Sequence, residues 1–471
     1  MYSTEHYKLL EFKAGYDLLF AQVKLLRTEN THLKQKLIEL EDKLNINSSN
    51  SSMPPSSDIK KKPKERKSTG KKRGGQPGRK GKNRPLVDAN LVNKVESVLP
   101  QSLCECGGEV EIDYDSPHRH QKFEIPKIMP EITEYQMHFG KCKCCGIQYR
   151  AGLPDGVGYH MLGPRAMSFL AQMPSLYNIT RQKAKKLFKE WFGIDISVGC
   201  LSESEGRISN YVENCYKDLE AALTKQAGLN ADETGHKESG KRHYGWIFTN
   251  ENLTFLTIEP SRGKKVLKHL FPEGFDGDIT SDRYAAYNMF AIEKRQVCWA
   301  HLLRDFTRFS HSGDPFTAKV GLGLLHQANR MFQVYHQCRN AEITQSQFLR
   351  EISDIKKRVG IWIYRGSEVF DRPQLNRFCK NLEKIHPALW NFAYSSGKVE
   401  PTNNLAERDL RQFVIWRKIS FGSQSDRGSR FMERMISIRS TCAKQGVDFS
   451  EFLIDATKSF LLGTPKTLSL S

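Results

Sequence analysis

The 471-residue chain has no apolar run near the length of about eighteen residues that a membrane-spanning helix needs. Its amino terminus, MYSTEHYKLLEFK, is charged early and lacks the apolar core of a secretory signal. No membrane partner is therefore expected, and a cytoplasmic setting is. Thiols stay reduced there, so the eleven cysteines imply no disulfide framework, and only those that cluster invite a metal reading. Acidic residues are also in short supply: 53 Asp and Glu stand against 72 Lys and Arg, a net charge of +19. The imbalance is local. Between Lys60 and Arg84 lie thirteen basic residues and one acid, so +12 sits in one short stretch. Such a block is the usual footprint of a polyanion partner, the plainer alternative being a solvated tail that aids solubility.

A chain this long exceeds what one core usually holds, and its composition shifts several times. In residues 1–45, Leu9, Phe12, Tyr16, Leu19, Val23, Leu26, Asn30, Leu33, Leu37, Leu40 and Leu44 recur in strict 3-4 alternation. That seam predicts a coiled coil, and hence a homodimer or higher oligomer. Asn30 at an a position would fix register, while Gly15 weakens the first turns; the alternative is a long helix packed on its own protein. Residues 46–97 turn to Asn, Ser, Pro, Gly and Lys, as in NINSSNSSMPPSSD and GGQPGRKGKNRP. Such a segment cannot build a core and reads as a disordered linker with a basic arm. Lys71, Lys72, Arg73, Arg79 and Lys80 are its candidate DNA-phosphate contacts, of the kind that grip without reading sequence.

Residues 98–160 carry Cys104 and Cys106 in CECGG, then Cys142, Cys144 and Cys145 in KCKCCG. Alternating stretches between them, QKFEIP and ITEYQMHFGK, predict short strands. Two cysteine pairs across such a module suggest a zinc-ribbon-like site, with Cys104, Cys106, Cys142 and Cys145 as the zinc ligands. Only Cys142 and Cys145 have C-x-x-C spacing; His118, His120 or His138 could substitute, and a metal-free thiol module is the alternative. Residues 161–225 read as helices, with RQKAKKLFKEWFGI ending at Gly193 and Ser197 as N-cap of the next. The outline is that of a helix-turn-helix, although two packed helices without a DNA role would look the same.

From residue 226 to 311 the pattern becomes strands, in GLNADET, HYGWIFTN and LTFLTIEP, then a helix and a further strand in DGDITSDRYAAYN. This outlines a mixed sheet flanked by helices. Asp232 (with Glu233) and Asp282 end two strands, and Glu407 lies in PTNNLAERDLRQF, a helix-compatible run that also holds Asn403, Asn404, Arg408 and Arg411. Carboxylates are hard ligands suited to magnesium. Two such ions about 3.5–4 Å apart can run an in-line phosphodiester displacement. The alternative for these acids is N-caps and surface carboxylates. Between Asp282 and Glu407 lie 124 residues. Helical spacing at Phe348, Ile352, Ile355 and Val359, and at Leu375, Phe378, Leu382 and Ile385, predicts a helical insertion over 312–396. Cys298 and His301 form a C-x-x-H pair that is incomplete as a metal site and is expected to serve structure or DNA contact.

Several long strings in one order resemble the transposases of the bacterial insertion sequence sixty-six family. They are NSSNSSMPPSSD with GGQPGRKG, the paired-cysteine module, ADETG, SDRYAAY, CWAHLLRDF, and NNLAERDLR followed by RKISFGS. The resemblance implies a DDE triad on a ribonuclease-H-like fold, with Asp232 from ADET, Asp282 from SDRY and Glu407 from NNLAER. It also implies a zinc-binding amino-terminal module and a helix-turn-helix-like segment. Cys104 departs from the family's usual C-x-x-C, Cys144 is extra, and Thr402 stands where the family often has Asp. The expectation is a multidomain α+β DNA transposase, with residues 397–471 completing the core. Asp232, Asp282 and Glu407 would bind magnesium or manganese, zinc would sit in the cysteine module, and Arg408 and Arg411 would contact phosphate. Its partners would be element ends, target DNA, a second copy of itself and accessory proteins of the same element. Its place would be the bacterial nucleoid. A non-catalytic DNA binder of the same fold and a related metal nuclease are the rival readings.

Overall fold

The computed structural model describes residues 4–47, 84–115, 117–395 and 399–464. The side chains of Leu9 and of the arm residues Lys71, Lys72, Arg73, Arg79 and Lys80 lie outside the described residues. The chain forms two compact units, one of residues 62–131 and 191–193, the other of residues 1–61, 132–190 and 194–471.

In the smaller unit, Cys104 and Cys106 sit in a tight turn. Cys104 N donates to Gly108 O at 2.8 Å and Gly107 N to Cys104 O at 2.8 Å, with Gly107 at a φ of 87° that favours glycine. QKFEIP forms no strand there. Its Gln121 side chain instead brackets Val87, accepting from Val87 N at 2.7 Å and donating to Val87 O at 3.0 Å. Alternation in the sequence detects extended backbone; whether a partner strand lies alongside is a separate matter.

The larger unit begins with α1 (Thr4–Leu44). Its described seam residues Phe12, Tyr16, Leu19, Val23, Leu26, Leu33, Leu37, Leu40 and Leu44 are exposed. A different face docks: Asp42 accepts from Ser312 Oγ at 2.6 Å and from Gly313 N at 3.2 Å. A hairpin of β1 (Phe139–Lys141) and β2 (Gln148–Arg150) turns through Cys142, whose N–H donates to Ile147 O at 2.8 Å. Four helices follow: α2 (Pro164–Ser175), α3 (Arg181–Phe192), α4 (Val198–Tyr211) and α5 (Glu213–Leu223). Ser197 caps α4, its hydroxyl accepting from Cys200 N at 3.0 Å.

A five-stranded sheet comes next, from β3 (Gly228–Glu238), β4 (Lys241–Thr249), β5 (Thr254–Glu259), β6 (Asp278–Ser281) and β7 (Arg295–Val297). The short helix α6 (Lys264–Leu270) links β5 to β6. The order is β5-β4-β3-β6-β7; β3, β4 and β5 are antiparallel, whereas β6 runs parallel to both β3 and β7. Helices α7 (Trp299–Ser310), α8 (Pro315–Arg339), α9 (Gln345–Ser367), α10 (Pro373–Lys384) and the short α11 (Asn391–Tyr394) then build their own core. Phe348, Ile352, Ile355 and Val359 of α9, with Leu375, Phe378 and Leu382 of α10, are buried in it beside Trp299 and Trp390. The helical spacing read in the sequence is this buried stripe. The chain returns to the sheet with α12 (Asn404–Ser420), α13 (Asp426–Lys444) and α14 (Phe449–Leu461).

Helix α13 closes the β5 edge. Thr254 N donates to Thr441 Oγ1 at 3.0 Å, Leu256 N to Ser437 Oγ at 2.8 Å, and Ile258 N to Glu433. Alternate strand residues advance about 6.6 Å and every fourth helix residue about 6 Å, so one helix face can satisfy a strand edge that would otherwise template aggregation.

Candidate active site

Strand β3 alternates in burial, with Leu229, Ala231 and Glu233 buried on one face while Asn230 and Asp232 are half-buried on the other. Two-residue periodicity thus sends the neighbouring acids to opposite sides of the sheet. Glu233 is committed to structure: Arg262 donates to it at 2.7 and 3.1 Å, and the wholly buried Tyr287 hydroxyl at 2.7 Å. Asp232 accepts from the Glu233 N–H at 2.9 Å.

The parallel pairing sets the second acid. Asn230 stands opposite Thr280; two residues further on, past the end of β6, the same register brings the chain to Asp232 and Asp282. Asp282 is held there by an Asx turn, its Oδ1 accepting from Tyr284 N at 2.7 Å. The adjoining backbone is fixed by Cys298 N donating to Ser281 O at 2.9 Å.

The third acid arrives from 124 residues away because α12 is pinned over β3 and β4. Asn403, fully buried, precedes the helix. Its Nδ2 donates to Ala231 O at 2.8 Å, its Oδ1 accepts from Asn230 Nδ2 at 3.1 Å, and its N–H donates to Cys298 Sγ at 3.2 Å. Further along, Asp409 accepts from Thr249 at 2.7 Å, Thr254 at 2.9 Å and Lys444 at 2.7 Å. Gly245 lacks a Cβ where Phe413 lies against β4. Glu407, in the first turn of α12, therefore overhangs the face that carries Asp232. Arg408 and Arg411 are exposed on the same helix.

The electrostatics report that proximity. Burial, then the carboxylates of Glu233 and Asp282, and also Glu407, push the Asp232 carboxyl up to about 8. Burial and then Arg304 push His301 down to about 4. Glu407 lies 3.7 Å from His301 and 3.9 Å from Arg304, and its Oε1 is buried without a hydrogen bond. A buried Asp232 carboxyl of raised proton affinity among other carboxylates, with an unsatisfied Glu407 oxygen nearby, is a donor set that a divalent cation would neutralise. Asp232, Asp282 and Glu407 are close enough to repel, yet the tight gathering of possible ligand atoms among the described residues is Cys298, His301 and Glu407, all within 4.8 Å of one another. Spacing in the sequence shows the C-x-x-H pair of Cys298 and His301, but nothing local links it to Glu407.

The cysteines of the expected zinc module fall in both compact units, Cys104 and Cys106 in one, Cys142 and Cys145 in the other. All are free thiols. The Gly108 N–H lowers the Cys106 thiol below its ordinary value, and the Cys145 N–H does so for Cys142, as turns suited to thiolate ligands would.

Asn403→Ala is expected to cost about 1–3 kcal/mol of stability, because buried partners lose their bonds. With Glu407 displaced, any chemistry at the site should fall by about a hundredfold. Thermal melts and a DNA-cleavage assay check this; cleavage at the wild-type rate would show that Asn403 does not position Glu407.

Comparison with known proteins adds a family. The profile of the Transposase IS66 family matches residues 161–431, a span that includes all three acids. A profile of a family of unknown function matches residues 11–85. Among curated proteins, the uncharacterized protein y4qI of Sinorhizobium fredii is 22% identical over 435 residues, covering 83% of this chain and 77% of the relative. The uncharacterized protein y4hP of the same organism is 22% identical over 399 residues, covering 76% and 70%.

Proposed function

The chain belongs to the Transposase IS66 family, and from that premise we propose that it hydrolyses the phosphodiester at the ends of an insertion sequence and joins the freed 3′ hydroxyl to target DNA. The observation that supports this reading is that the carboxylates of Asp282 and Glu407 act on the buried Asp232 carboxyl and raise its proton affinity. Asp232 follows the Asn230–Thr280 pairing of the parallel strands by two residues on β3, Asp282 follows the end of β6, and Glu407 lies in the first turn of α12. The strand order β5-β4-β3-β6-β7, three antiparallel and two parallel, supports a ribonuclease-H-like core interrupted by the α8–α11 helices.

The sequence expectation that both acids end strands holds for Asp282, just past β6, but not for Asp232, which lies inside β3 because that strand runs on to Glu238. In this reading these two and Glu407 of α12 would hold divalent magnesium or manganese. Such ions supply Lewis-acid charge to the phosphate oxygens and activate the attacking oxygen. Glu233 stays with Arg262 and Tyr287, and so remains a strut beneath Asp232. Arg408 and Arg411, exposed beside Glu407, orient the DNA backbone by charge. The helices of residues 161–225 serve as a helix-turn-helix-like DNA contact, and the cysteine module of residues 98–160 as a zinc-binding one.

Pairing follows from α1. Its seam is exposed along the described length, with Asn30 also exposed among the leucines. We assign this seam to a second copy, which would bring two element ends together; a monomeric full chain in sedimentation would remove the assignment. Accessory proteins of the same element are further expected partners, and the bacterial nucleoid, in the cytoplasm, is the expected place of action. Among the described residues no helix is long and apolar enough to cross a membrane.

A strand-transfer assay tests the function. A pre-cut element end, supercoiled target DNA and magnesium should give joined products. Nicking without joining would mark a metal nuclease instead, and binding with neither reaction a DNA-binding protein of the same fold.

A further inference from the structure

A C-x-x-H pair offers two ligands, too few to hold a tetrahedral ion. The fold supplies the third. Cys298 stands at the N-cap of α7, His301 lies in the first turn of α7, and Glu407 lies in the first turn of α12. The Asn403 N–H donates to Cys298 Sγ at 3.2 Å, which ties the two helix starts together through the sulfur. The sulfur, a ring nitrogen of His301 and a carboxylate oxygen of Glu407 all lie within 4.8 Å of one another. His301 Nδ1 and Glu407 Oε1 are 3.7 Å apart, both buried and neither in a hydrogen bond. That gap is too long for a hydrogen bond. It is close to the separation of about 3.5 Å between tetrahedral ligands that each lie about 2.0–2.3 Å from zinc.

We propose that Cys298, His301 and Glu407 bind one thiophilic divalent ion of the zinc class, and that its binding suppresses magnesium-supported DNA cleavage. The donor set decides the class of ion: thiolate and imidazole favour zinc or cobalt over magnesium, which prefers oxygen alone. Three protein ligands leave a fourth position open to water or to a phosphate oxygen. Suppression follows from the shared ligand, because a Glu407 carboxylate neutralised by this ion offers less negative charge toward Asp232 and Asp282. This consequence rests on Glu407 being a catalytic carboxylate; the binding site does not.

Cobalt(II) titration of the full chain reads the site directly, since thiolate-bound cobalt absorbs in the near ultraviolet. Wild-type protein, C298S, H301A, C142S and D232N are compared. C142S separates the cysteine module from this site. H301A and C298S should lose one class of thiolate-bound cobalt, with affinity there falling by at least about 10–100-fold; D232N should keep it. Cys298 is fully buried and His301 only half-buried, so H301A, checked for folding by circular dichroism, is the decisive variant. Cobalt binding by folded H301A equal to wild type overturns the site. Zinc is then added to the magnesium-supported cleavage assay, and the ratio of rates with and without it is taken within each variant. The wild-type ratio should fall well below that of H301A; equal suppression overturns the coupling. If D232N cleaves like wild type, the triad reading fails while the cobalt result still stands on its own.

Discussion

Asp232→Asn should remove strand cleavage and strand transfer by at least about 10²–10³-fold, the scale of losing one preorganised electrostatic group at a reacting centre. Binding to an element end should persist, because the variant keeps the fold and the exposed arginines of α12. The same substitution should stabilise the metal-free protein, and the sign can be worked out. The folded Asp232 carboxyl titrates at about 8, well above its ordinary value of about 3.9. The folded state therefore holds the proton more tightly than the unfolded chain. Ionising Asp232 costs nothing at pH values below the unfolded value, costs progressively more as pH rises between the two, and reaches a plateau above about 8. Asparagine carries no such penalty. Its advantage in melting temperature without metal should thus be larger at pH 8 than near pH 5. Magnesium should reverse the order, since it stabilises the wild type with loss of a proton and leaves the variant largely unmoved. Parallel pH slopes in the two proteins, or equal loss of end binding and cleavage, would count against the role given to Asp232.

The sequence disclosed the mixed α+β character through local pattern: a periodicity of two along β3, short apolar-rich runs along β4 and β5, and helical stripes along α9 and α10. It named the acids but not their partners. Nothing in ADET tells Asp232 from Glu233 except the two-residue period, and only the structure shows Glu233 committed to Arg262 and Tyr287. Long-range closure was invisible. Asn403 reaches Asn230, Ala231 and Cys298, and no spacing rule links residues so far apart. The strand β7 is three residues long, too short for alternation to register. The edge closure by Glu433, Ser437 and Thr441 reads in sequence as an ordinary polar helix face. In the cysteine module the alternation of QKFEIP suggested a strand, yet a side chain, Gln121, makes the backbone pairing there.

Deleting residues 60–84 should weaken binding to any DNA sequence and, more tellingly, flatten its dependence on salt. The segment carries +12 of the net +19, and its Lys71, Lys72, Arg73, Arg79 and Lys80 are the proposed phosphate contacts. Each phosphate neutralised by such a side chain releases condensed counterions, so affinity falls as a power of the salt concentration. A protein that neutralises about 6–10 phosphates loses roughly 10³–10⁵ in affinity between about 50 and 200 mM salt. The full chain should fall in that range, and the deletion should give a distinctly shallower slope of log affinity against log salt. Preference for an element end over unrelated DNA should change little, because phosphate contacts hold position without reading bases. Titrations of both proteins on end and non-end duplexes across the salt range decide it. An unchanged slope would return this stretch to the role of a solubilising tail, and a lost preference with an unchanged slope would mean that the segment reads sequence.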